Sequence, residues 1–383
     1  MKNVCIFYTD ENRIKPLADR YPGCERIRLT DIRDRAQFAQ KEGRDVIFAA
    51  PNDLLQEITA ACRGLSFASA AVFPPDNGAT PDEPIRIDLR KPRLDYMETE
   101  ICHICNLNCK GCCDFSNLRV DRGFYDFDRF TRDLLRMKEL FWGIGKIRLM
   151  GGEPFLNPDA ADYAEKCREI FPDCDLRIVS NGLLLPSVDL RTLQRLRDCG
   201  CSVDISTYPP TAAKRKEIEE AAKRAGIAVN FSVPMKFFFR TILETPVDDP
   251  APAFRNCVFT HCHMMSDGRL APCSYAACIS RLNRFYGTDF PENDYFDLAE
   301  PAADGWRIME AFSKPHAFCR CCGSGAIPYR WQGHVSPDRA KKEDWLIRDT
   351  FISRKAAPAI QKLLKPAVIR LRAAIQKKKT GGG

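Results

Sequence analysis

The sequence predicts an α/β protein whose centre is a parallel sheet or partial barrel. Between residues 95 and 239, short apolar runs alternate with helical segments, and this order is typical of βαβ units. The chain has 383 residues, of which 45% are hydrophobic and 28% charged, so it is long enough for two or three domains with cores of their own. In such sheets, ligand sites lie at the carboxyl ends of the strands.

The central segment contains five candidate strands and four candidate helices. The strands are expected at Tyr96–Glu100, Lys146–Met150, Leu176–Ser180, Ser202–Ser206 and Ala228–Val233. The helices are expected at Phe127–Leu140, Ala160–Phe171, Leu190–Cys199 and Ala212–Ala225.

The parts of the chain on either side of this segment are predicted to form separate domains. Residues 1–92 are predicted to form a small α/β domain with a helix at Asp53–Cys62 and strands at Val4–Tyr8, Arg26–Leu29, Asp45–Ala50, Ala70–Phe73 and Ile85–Leu89. Because no glycine-rich phosphate loop follows Tyr8, a structural or partner-docking role is favoured over a nucleotide site. Residues 74–84 are predicted to be a linker. The remaining domains are expected at residues 93–250, 251–350 and 351–383.

The net charge of +7 arises at the C-terminus. From Ser353 onward there are nine basic and no acidic residues, and without them the net charge is −2. The rest of the chain therefore has no sign of a nucleic-acid-binding face. The segment Ser353–Lys379 is predicted to be an amphipathic helix, kinked at Pro366, whose basic side suits an anionic membrane surface or an acidic partner. A solvated terminal helix is the alternative.

No apolar run approaches the ~18 residues of a membrane span, and the N-terminus does not resemble a signal peptide. We therefore expect a cytoplasmic protein that is at most peripheral to a membrane. The 19 cysteines and only five histidines then favour thiolate-bound metal or iron–sulfur sites over disulfides.

The first cysteine group has the spacing C-x3-C-x2-C and consists of Cys105, Cys109 and Cys112. It follows a predicted strand, so it belongs to a loop at the sheet's carboxyl edge. Three thiolates can hold three irons of a [4Fe–4S] cube and leave the fourth iron open. Cys102 and Cys113 allow a second register, and structural zinc with a remote fourth thiolate is a further alternative.

This loop resembles that of the radical S-adenosylmethionine (SAM) enzymes, which favours the register 105/109/112. Three later segments resemble the same superfamily in the same order, each at a predicted strand end: Leu149–Pro154 with its GGEP motif, Ile178–Gly182 and Val203–Thr207. The resemblance implies a partial (β/α)6 TIM-type barrel, a SAM-binding [4Fe–4S] cluster and SAM itself as cofactors. It also implies a reductant such as flavodoxin or ferredoxin as partner.

The resemblance further implies which residues bind SAM: Gly151, Gly152, Glu153, Pro154, Ser180 and Asn181. The glycines would let the backbone approach the ligand, and Glu153 would orient the methionine ammonium. The residue before the third cysteine, often aromatic in this superfamily, is Gly111 here. We expect Phe115 to pack against the adenine instead. No catalytic base is assigned.

The second cysteine group lies in the irregular C-terminal third. Cys257, the G-x4-C hairpin ending at Cys273, and the pair Cys319 and Cys322 resemble the twitch form of the SPASM-like auxiliary domains of radical SAM proteins. This implies one auxiliary [4Fe–4S] cluster, in which Cys262 replaces or joins Cys257; zinc is the alternative. Such a cluster either accepts an electron from substrate or binds substrate.

Residues 95–350 further resemble uncharacterised radical SAM proteins found with bacterial surface-glycan genes. We therefore expect an oxidoreductase that cleaves SAM to a 5′-deoxyadenosyl radical and abstracts hydrogen from a small polar substrate, such as a sugar or nucleotide-sugar. The alternatives are a peptide-modifying maturase and a non-catalytic two-cluster electron carrier. An electron carrier has no need for the GGEP and Ser-Asn-Gly segments.

Overall fold

The computed structural model describes residues 4–10, 17, 20–50, 52–72, 85–257, 259 and 261–348, and within these ranges it contains three sheets. The N-terminal sheet has the order β2-β1-β3-β4-β5, in which only β5 is antiparallel to its neighbour. Its strands are β1 Val4–Tyr8, β2 Glu25–Arg28, β3 Asp45–Ala49, β4 Ser69–Val72 and β5 Ile85–Arg86, and its helices are Arg35–Ala39 and Asn52–Ala61.

The N-terminal sheet has its own aromatic core and is anchored to the centre of the protein. The ring of Phe7 lies 5.0 Å from that of Phe38 and 5.6 Å from that of Phe48. The indole nitrogen of Trp142 donates to the hydroxyl of Thr59 at 3.3 Å.

The central sheet has eight strands in the order β10-β9-β8-β7-β6-β12-β13-β14. Six of them, β6 to β10 and β12, run parallel. Their bounds are β6 Arg93–Cys102, β7 Gly143–Gly151, β8 Asp175–Ser180, β9 Ser202–Ile205, β10 Val229–Phe231 and β12 His263–Ser266. This confirms the predicted α/β fold; among the described strands the sheet is open, with β10 and β14 at its edges.

Alternation along the strands explains the layering. Ile147, Leu149, Leu176, Ile178 and Val203 are almost fully buried and share one hydrophobic core with the covering helices. The residues between them on the same strands are mainly charged or polar and point to the opposite face. A sheet with one helix-covered apolar face and one polar face follows directly from this pattern.

The helices that connect or follow the central strands begin at the predicted positions in most cases. They are Phe127–Leu140, Ala160–Ile170, Leu190–Asp198, Pro209–Ala213 and Arg215–Ala225. The Asp126 side chain accepts from the backbone N–H of Arg129 at 2.8 Å and begins the first of them. The predicted helix at Ala212–Ala225 is two helices, broken at Lys214, and Gly226 with φ +69° ends the second.

The cysteine-rich segment shares the central sheet. Strand β12 pairs with β6, and the turn Asp267-Gly268 leads to β13 Arg269–Ala271, which pairs with β14 Phe296–Asp297. The helices here are Ala251–Asn256, Ser274–Tyr286 and Gly305–Phe312. The residues after 250 therefore complete the sheet that the residues before 250 begin.

A third sheet lies beyond the central one. It has the order β15-β11-β16, with bounds β11 Phe237–Leu243, β15 Cys322–Arg330 and β16 Leu346–Ile347. Short 3-10 helices complete the described structure at Ser116–Leu118, Pro154–Leu156, Leu185–Ser187, Ala317–Cys321, Pro337–Arg339 and Lys342–Asp344.

The predicted linker at residues 74–84 and the predicted helix Ser353–Lys379 lie outside the described residues. In the part of the chain that the structure does describe, no helix is both long and apolar enough to span a membrane.

Candidate functional site

The cysteine loop follows β6 at the carboxyl edge of the central sheet. Cys109 is 7% exposed, and Cys105 and Cys112 are partly buried. Burial raises the pKa of the Cys105 thiol to about 12, and the charge of Cys112 adds to the rise. Burial also raises the pKa of Cys109, helped by the charges of Cys112 and then Cys105. The three predicted ligands therefore lie close enough to act on one another.

Cys112 differs from the other two. Its neighbour Cys113 and the backbone N–H groups of Asp114 and Ser116 stabilise the thiolate, which lowers the pKa of Cys112 to about 6 despite burial. The thiolate is the form that binds metal. Cys113 thus favours the metal-binding form of Cys112, which is one of the three predicted ligands.

The GGEP segment at the end of β7 packs directly on the backbone of this loop. A Cβ on Gly151 would lie 2.1 Å from the carbonyl oxygen of Cys102, and one on Gly152 would lie 2.1 Å from that of Ile104. The N–H of Gly152 donates to Cys102 and that of Glu153 to Ile104, at 2.7 and 2.8 Å. Both glycines are therefore required to seat the cysteine loop, a role that the sequence analysis did not assign.

The Glu153 carboxylate joins the ends of β7 and β8. It accepts from the Ser180 hydroxyl at 2.7 Å, the Asn181 backbone N–H at 2.9 Å and the Phe155 N–H at 3.1 Å. Its side chain is completely buried, and this burial raises the pKa of Glu153 to about 7. A carboxylate has about four acceptor positions, so one remains for another donor.

Asn181 closes the connection back to the cysteine loop. Its side-chain amide donates to the Asn106 side chain at 2.7 Å. Pro154 is buried and begins the 3-10 helix after Glu153. The structure thus brings together the cysteine loop and six predicted cofactor residues, Gly151, Gly152, Glu153, Pro154, Ser180 and Asn181.

Phe115 follows the cysteine loop directly, and its backbone N–H donates to the Cys112 carbonyl at 3.1 Å. Its side chain is 0% exposed and packs between Tyr275 and Trp345, with centroid distances of 6.2 and 5.7 Å. The ring is thus part of the hydrophobic core beside the cysteine loop.

Three aromatic residues between positions 329 and 345 cover the cysteine loop. The Trp331 indole donates to the Cys109 sulfur at 3.3 Å, and the Trp345 indole donates to the Cys112 carbonyl at 2.8 Å. The Tyr329 hydroxyl donates to the Lys110 carbonyl at 2.9 Å. We call Tyr329, Trp331 and Trp345 the aromatic cover. Sequence reasoning missed it because nothing local links these residues to a loop more than 200 positions earlier.

The four predicted auxiliary ligands influence one another electrostatically. Burial raises the pKa of Cys322, and the charges of Cys273, Cys319 and Cys257 add to the rise. Cys273 begins the helix Ser274–Tyr286, where its sulfur accepts from the Ala276 N–H at 3.5 Å. The four thiols are therefore candidates for one ligand set.

Cys262 lies at the border of this group. Burial raises the pKa of its thiol to about 12. The charge of Glu98 adds to the rise, the charge of Arg148 opposes it, and the charge of Cys257 adds a smaller rise. Two residues of the sheet's polar face, Glu98 and Arg148, therefore influence the Cys262 thiol more strongly than Cys257 does.

That polar face carries a network of charged residues across β6 to β9. Arg148 lies 3.5 Å from both Glu98 and Asp204, and Arg177 lies 2.9 Å from Asp204. We call Glu98, Arg148, Arg177 and Asp204 the charged row. Its two guanidinium groups are matched by two carboxylates, so it offers hydrogen-bonding groups without a net charge.

A buried ion pair lies beneath the cysteine loop. Arg281 contacts both Glu100 oxygens at 2.6 and 2.9 Å, and the Asp121 carboxylate at 2.8 Å. Burial disfavours the Glu100 carboxylate, but Arg281 and His103 outweigh it and lower the pKa of Glu100 to about 2. The Arg281 guanidinium also donates to the Asp114 carbonyl at 2.8 Å, which ties the loop to the helix Ser274–Tyr286.

The donor chemistry of the loop fits an iron–sulfur cluster. It offers three thiols, and two of the sulfurs already accept N–H groups: that of Cys105 from Leu107 at 3.4 Å, and that of Cys109 from Trp331. Cysteine thiolates with N–H groups on their sulfurs are typical of such clusters.

Comparison with known proteins agrees with this chemistry. The model of the Radical SAM superfamily matches residues 99–235. A GTP 3′,8-cyclase of Sulfurovum sp. (strain NBC37-1) is 30% identical over 138 residues, covering 33% of this chain and 39% of that protein. The GTP 3′,8-cyclase of Sulfurimonas denitrificans is 32% identical over 131 residues, covering 31% and 37%. The chain thus spans about two fifths of the length of these curated relatives.

Two solved structures are similar at lower identity. BtrN in complex with AdoMet and 2-DOIA is 15% identical, with a TM-score of 0.41, over 61% of this chain and 94% of that one. Native anSMEcpe with bound AdoMet is 11% identical, with a TM-score of 0.41, over 73% and 100%.

Proposed function

Residues 99–235 form a radical SAM domain, and from this premise we propose that the protein is an oxidoreductase that cleaves SAM and abstracts a hydrogen atom from a small polar substrate. In this superfamily, a [4Fe–4S] cluster supplies the electron that splits SAM into methionine and a 5′-deoxyadenosyl radical. The assignments below concern what this chain's residues contribute.

We assign Cys105, Cys109 and Cys112 as the ligands of that cluster. The observation that carries the proposal is the hydrogen-bonded connection of three separate strand ends. Glu153 after β7 binds Ser180 and Asn181 after β8, and Asn181 binds Asn106 in the cysteine loop. Such a rigid meeting point suits a ligand that must contact all three segments.

The SAM-binding residues follow from the same arrangement. The remaining acceptor position of Glu153 suits the methionine ammonium, and Ser180 and Asn181 suit the ribose. Gly151 and Gly152 contribute by holding the loop backbone close, and Pro154 by fixing the turn after Glu153. Phe115 remains the proposed adenine contact, and its ring packs against Tyr275 and Trp345.

We propose a second, twitch-like cluster on Cys257, Cys273, Cys319 and Cys322. The mutual electrostatic influence of the four thiols supports this set, and the position of Cys262 beside the charged row favours Cys257 as the ligand. When bound, this cluster either accepts the second electron of a substrate oxidation or binds the substrate.

A neutral polyhydroxylated substrate fits the charged row best. GTP carries several negative charges and requires unpaired cations, whereas Arg148 and Arg177 are each paired with a carboxylate. A sugar or the sugar part of a nucleotide-sugar can exchange hydrogen bonds with both partners of each pair. Oxidation of one alcohol carbon to a carbonyl removes one hydrogen atom, one electron and one proton.

The proposal is tested by measuring 5′-deoxyadenosine from anaerobically reconstituted protein given SAM, dithionite and a panel of sugars and nucleotide-sugars. We expect product from the wild type and none from Cys109→Ala. A wild-type protein that holds about eight irons per chain, as expected for two cubes, but yields no 5′-deoxyadenosine with any compound would contradict it. A panel of short peptides tests the maturase alternative in the same assay.

For the basic segment from Ser353 onward we propose contact with an anionic membrane surface. Co-sedimentation with vesicles that contain phosphatidylserine tests this. Equal sedimentation of the full chain and of a chain truncated at Ser353 would contradict it.

A further inference from the structure

The indole of Trp331 makes the one contact in the aromatic cover that reaches a ligand sulfur. Its Nε1 lies 3.3 Å from Cys109 Sγ, whereas the Trp345 indole and the Tyr329 hydroxyl reach only backbone carbonyls of the loop. Because Cys109 is 7% exposed, water competes little for this sulfur. The N–H is therefore a persistent partner of Cys109.

The indole is held in this orientation by its surroundings. Its ring stacks on Tyr208 with a centroid distance of 5.5 Å and an interplanar angle of 20°. Its backbone N–H donates to the Lys236 carbonyl at 3.0 Å. A Cβ on Gly333 would lie 2.9 Å from the ring carbon Cη2, so glycine is needed at that position for the ring to fit.

We infer that Trp331 is a positioning residue that sets the reduction potential of the cluster bound at Cys105, Cys109 and Cys112. The inference rests on the proposed function, which places a cluster on these cysteines. Reduction adds negative charge to the cluster and its sulfurs. An N–H dipole aimed at a sulfur stabilises the more negative state, so it raises the reduction potential.

The backbone N–H groups on the loop sulfurs cannot be removed by a substitution in this way. The Cys105 sulfur accepts from the backbone of Leu107, two residues along the same turn. The Trp331 N–H comes from a side chain 222 positions away in the sequence. A substitution can remove it while the loop backbone keeps its own hydrogen bonds.

The experiment is a redox titration of the reconstituted protein followed by EPR of the reduced cluster. Trp331→Phe keeps a flat ring for Tyr208 but removes the N–H. We expect its midpoint to shift to more negative potential, with the equilibrium ratio of reduced to oxidised cluster falling about three- to tenfold. A tenfold fall corresponds to about 59 mV for one electron.

Trp345→Phe is the matched control. It removes the N–H of a more deeply buried indole, which binds the Cys112 carbonyl rather than a sulfur. We expect its midpoint to stay close to that of the wild type. Equal shifts in both variants would overturn the inference, since they would reflect a general loosening of the cover.

A spectroscopic readout tests the contact in the wild type itself. With tryptophan labelled by ¹⁵N at the indole, pulsed EPR of the reduced cluster should detect a nitrogen coupling. The coupling should persist in Trp345→Phe and vanish in Trp331→Phe. A wild type with a normal cluster but no such coupling overturns the inference alone, even if a variant fails to fold, whereas a wild type without a cluster contradicts the proposed function.

Discussion

The hydroxyl of Tyr329 occupies the space that a side chain at position 111 would need: it lies 2.0 Å from where a Cβ on Gly111 would be. Gly111 also has φ +62°, a backbone conformation that favours glycine. The departure from the aromatic residue usual at this position in the resembled family thus has a structural cause, because Tyr329 of the aromatic cover lies over the same point of the loop.

Gly111→Ala should therefore weaken both the cover and metal binding. The left-handed backbone alone costs an alanine about 1–3 kcal/mol, and contacts with Tyr329 and with the Asp344 carbonyl at 2.7 Å add to this. We expect a lower melting temperature and less iron per chain after reconstitution. Gly287→Ala is the control, because it has φ +65° and nothing within 4 Å. Equal losses of melting temperature and iron in both variants would show that the left-handed backbone, and not the contact with Tyr329, causes the loss.

Glu153→Gln should change how stability depends on pH. Burial raises the pKa of Glu153 to about 7 from 4.5, so the folded protein holds this proton more tightly than the unfolded chain does. The wild type should therefore lose stability relative to the variant as the pH rises from 4.5 to 7, by roughly 3 kcal/mol at 1.36 kcal/mol per pKa unit. Denaturant unfolding at several pH values, without SAM, measures the difference. Glu139→Gln, at an exposed carboxylate, should show no such trend.

Substitution of the auxiliary cysteines should separate the two metal sites. We expect Cys322→Ala to hold about four irons per chain instead of about eight, because it removes a ligand from one cube only. Cys262→Ala should keep about eight, since Cys262 lies beside Glu98 and Arg148. Metal analysis of both variants decides the ligand set. Zinc in the wild type that disappears in Cys322→Ala would instead identify a structural zinc site.

Arg281→Met should strongly destabilise the protein. It leaves the fully buried Glu100 carboxylate without its bidentate partner, and breaking a buried pair in this way typically costs about 3–5 kcal/mol. The double variant with Glu100→Gln should recover part of the loss. Arg284→Met removes a half-exposed arginine that also contacts Asp121, and it should cost less than about 1 kcal/mol. Urea denaturation compares the three proteins.

Much of the central sheet could be predicted because its signals are local. The core strands found at β6 to β9 alternate buried and polar residues, and each predicted run falls within or close to the observed bounds. The meeting of Glu153 with Ser180 could also be expected, because carboxyl ends of neighbouring parallel strands share one edge.

The pairing of distant segments could not be predicted. Strand β12 joins the central sheet beside β6, although more than 150 residues separate them, and β11 pairs with β15 across the chain. Periodicity shows that a segment is extended but not which edge it will join. The aromatic cover could not be predicted for the same reason. The sequence around a tryptophan does not show which sulfur its indole N–H will contact.

The order of these segments along the chain has a consequence for how the protein matures. The cysteine loop ends at Cys112, but the cover that buries it is made by residues 329–345. A ribosome completes residues 99–235 well before it reaches Trp331. The loop therefore remains accessible to an iron–sulfur donor throughout that interval, and closure over Cys109 follows only once Trp331, more than 200 positions later, has been added.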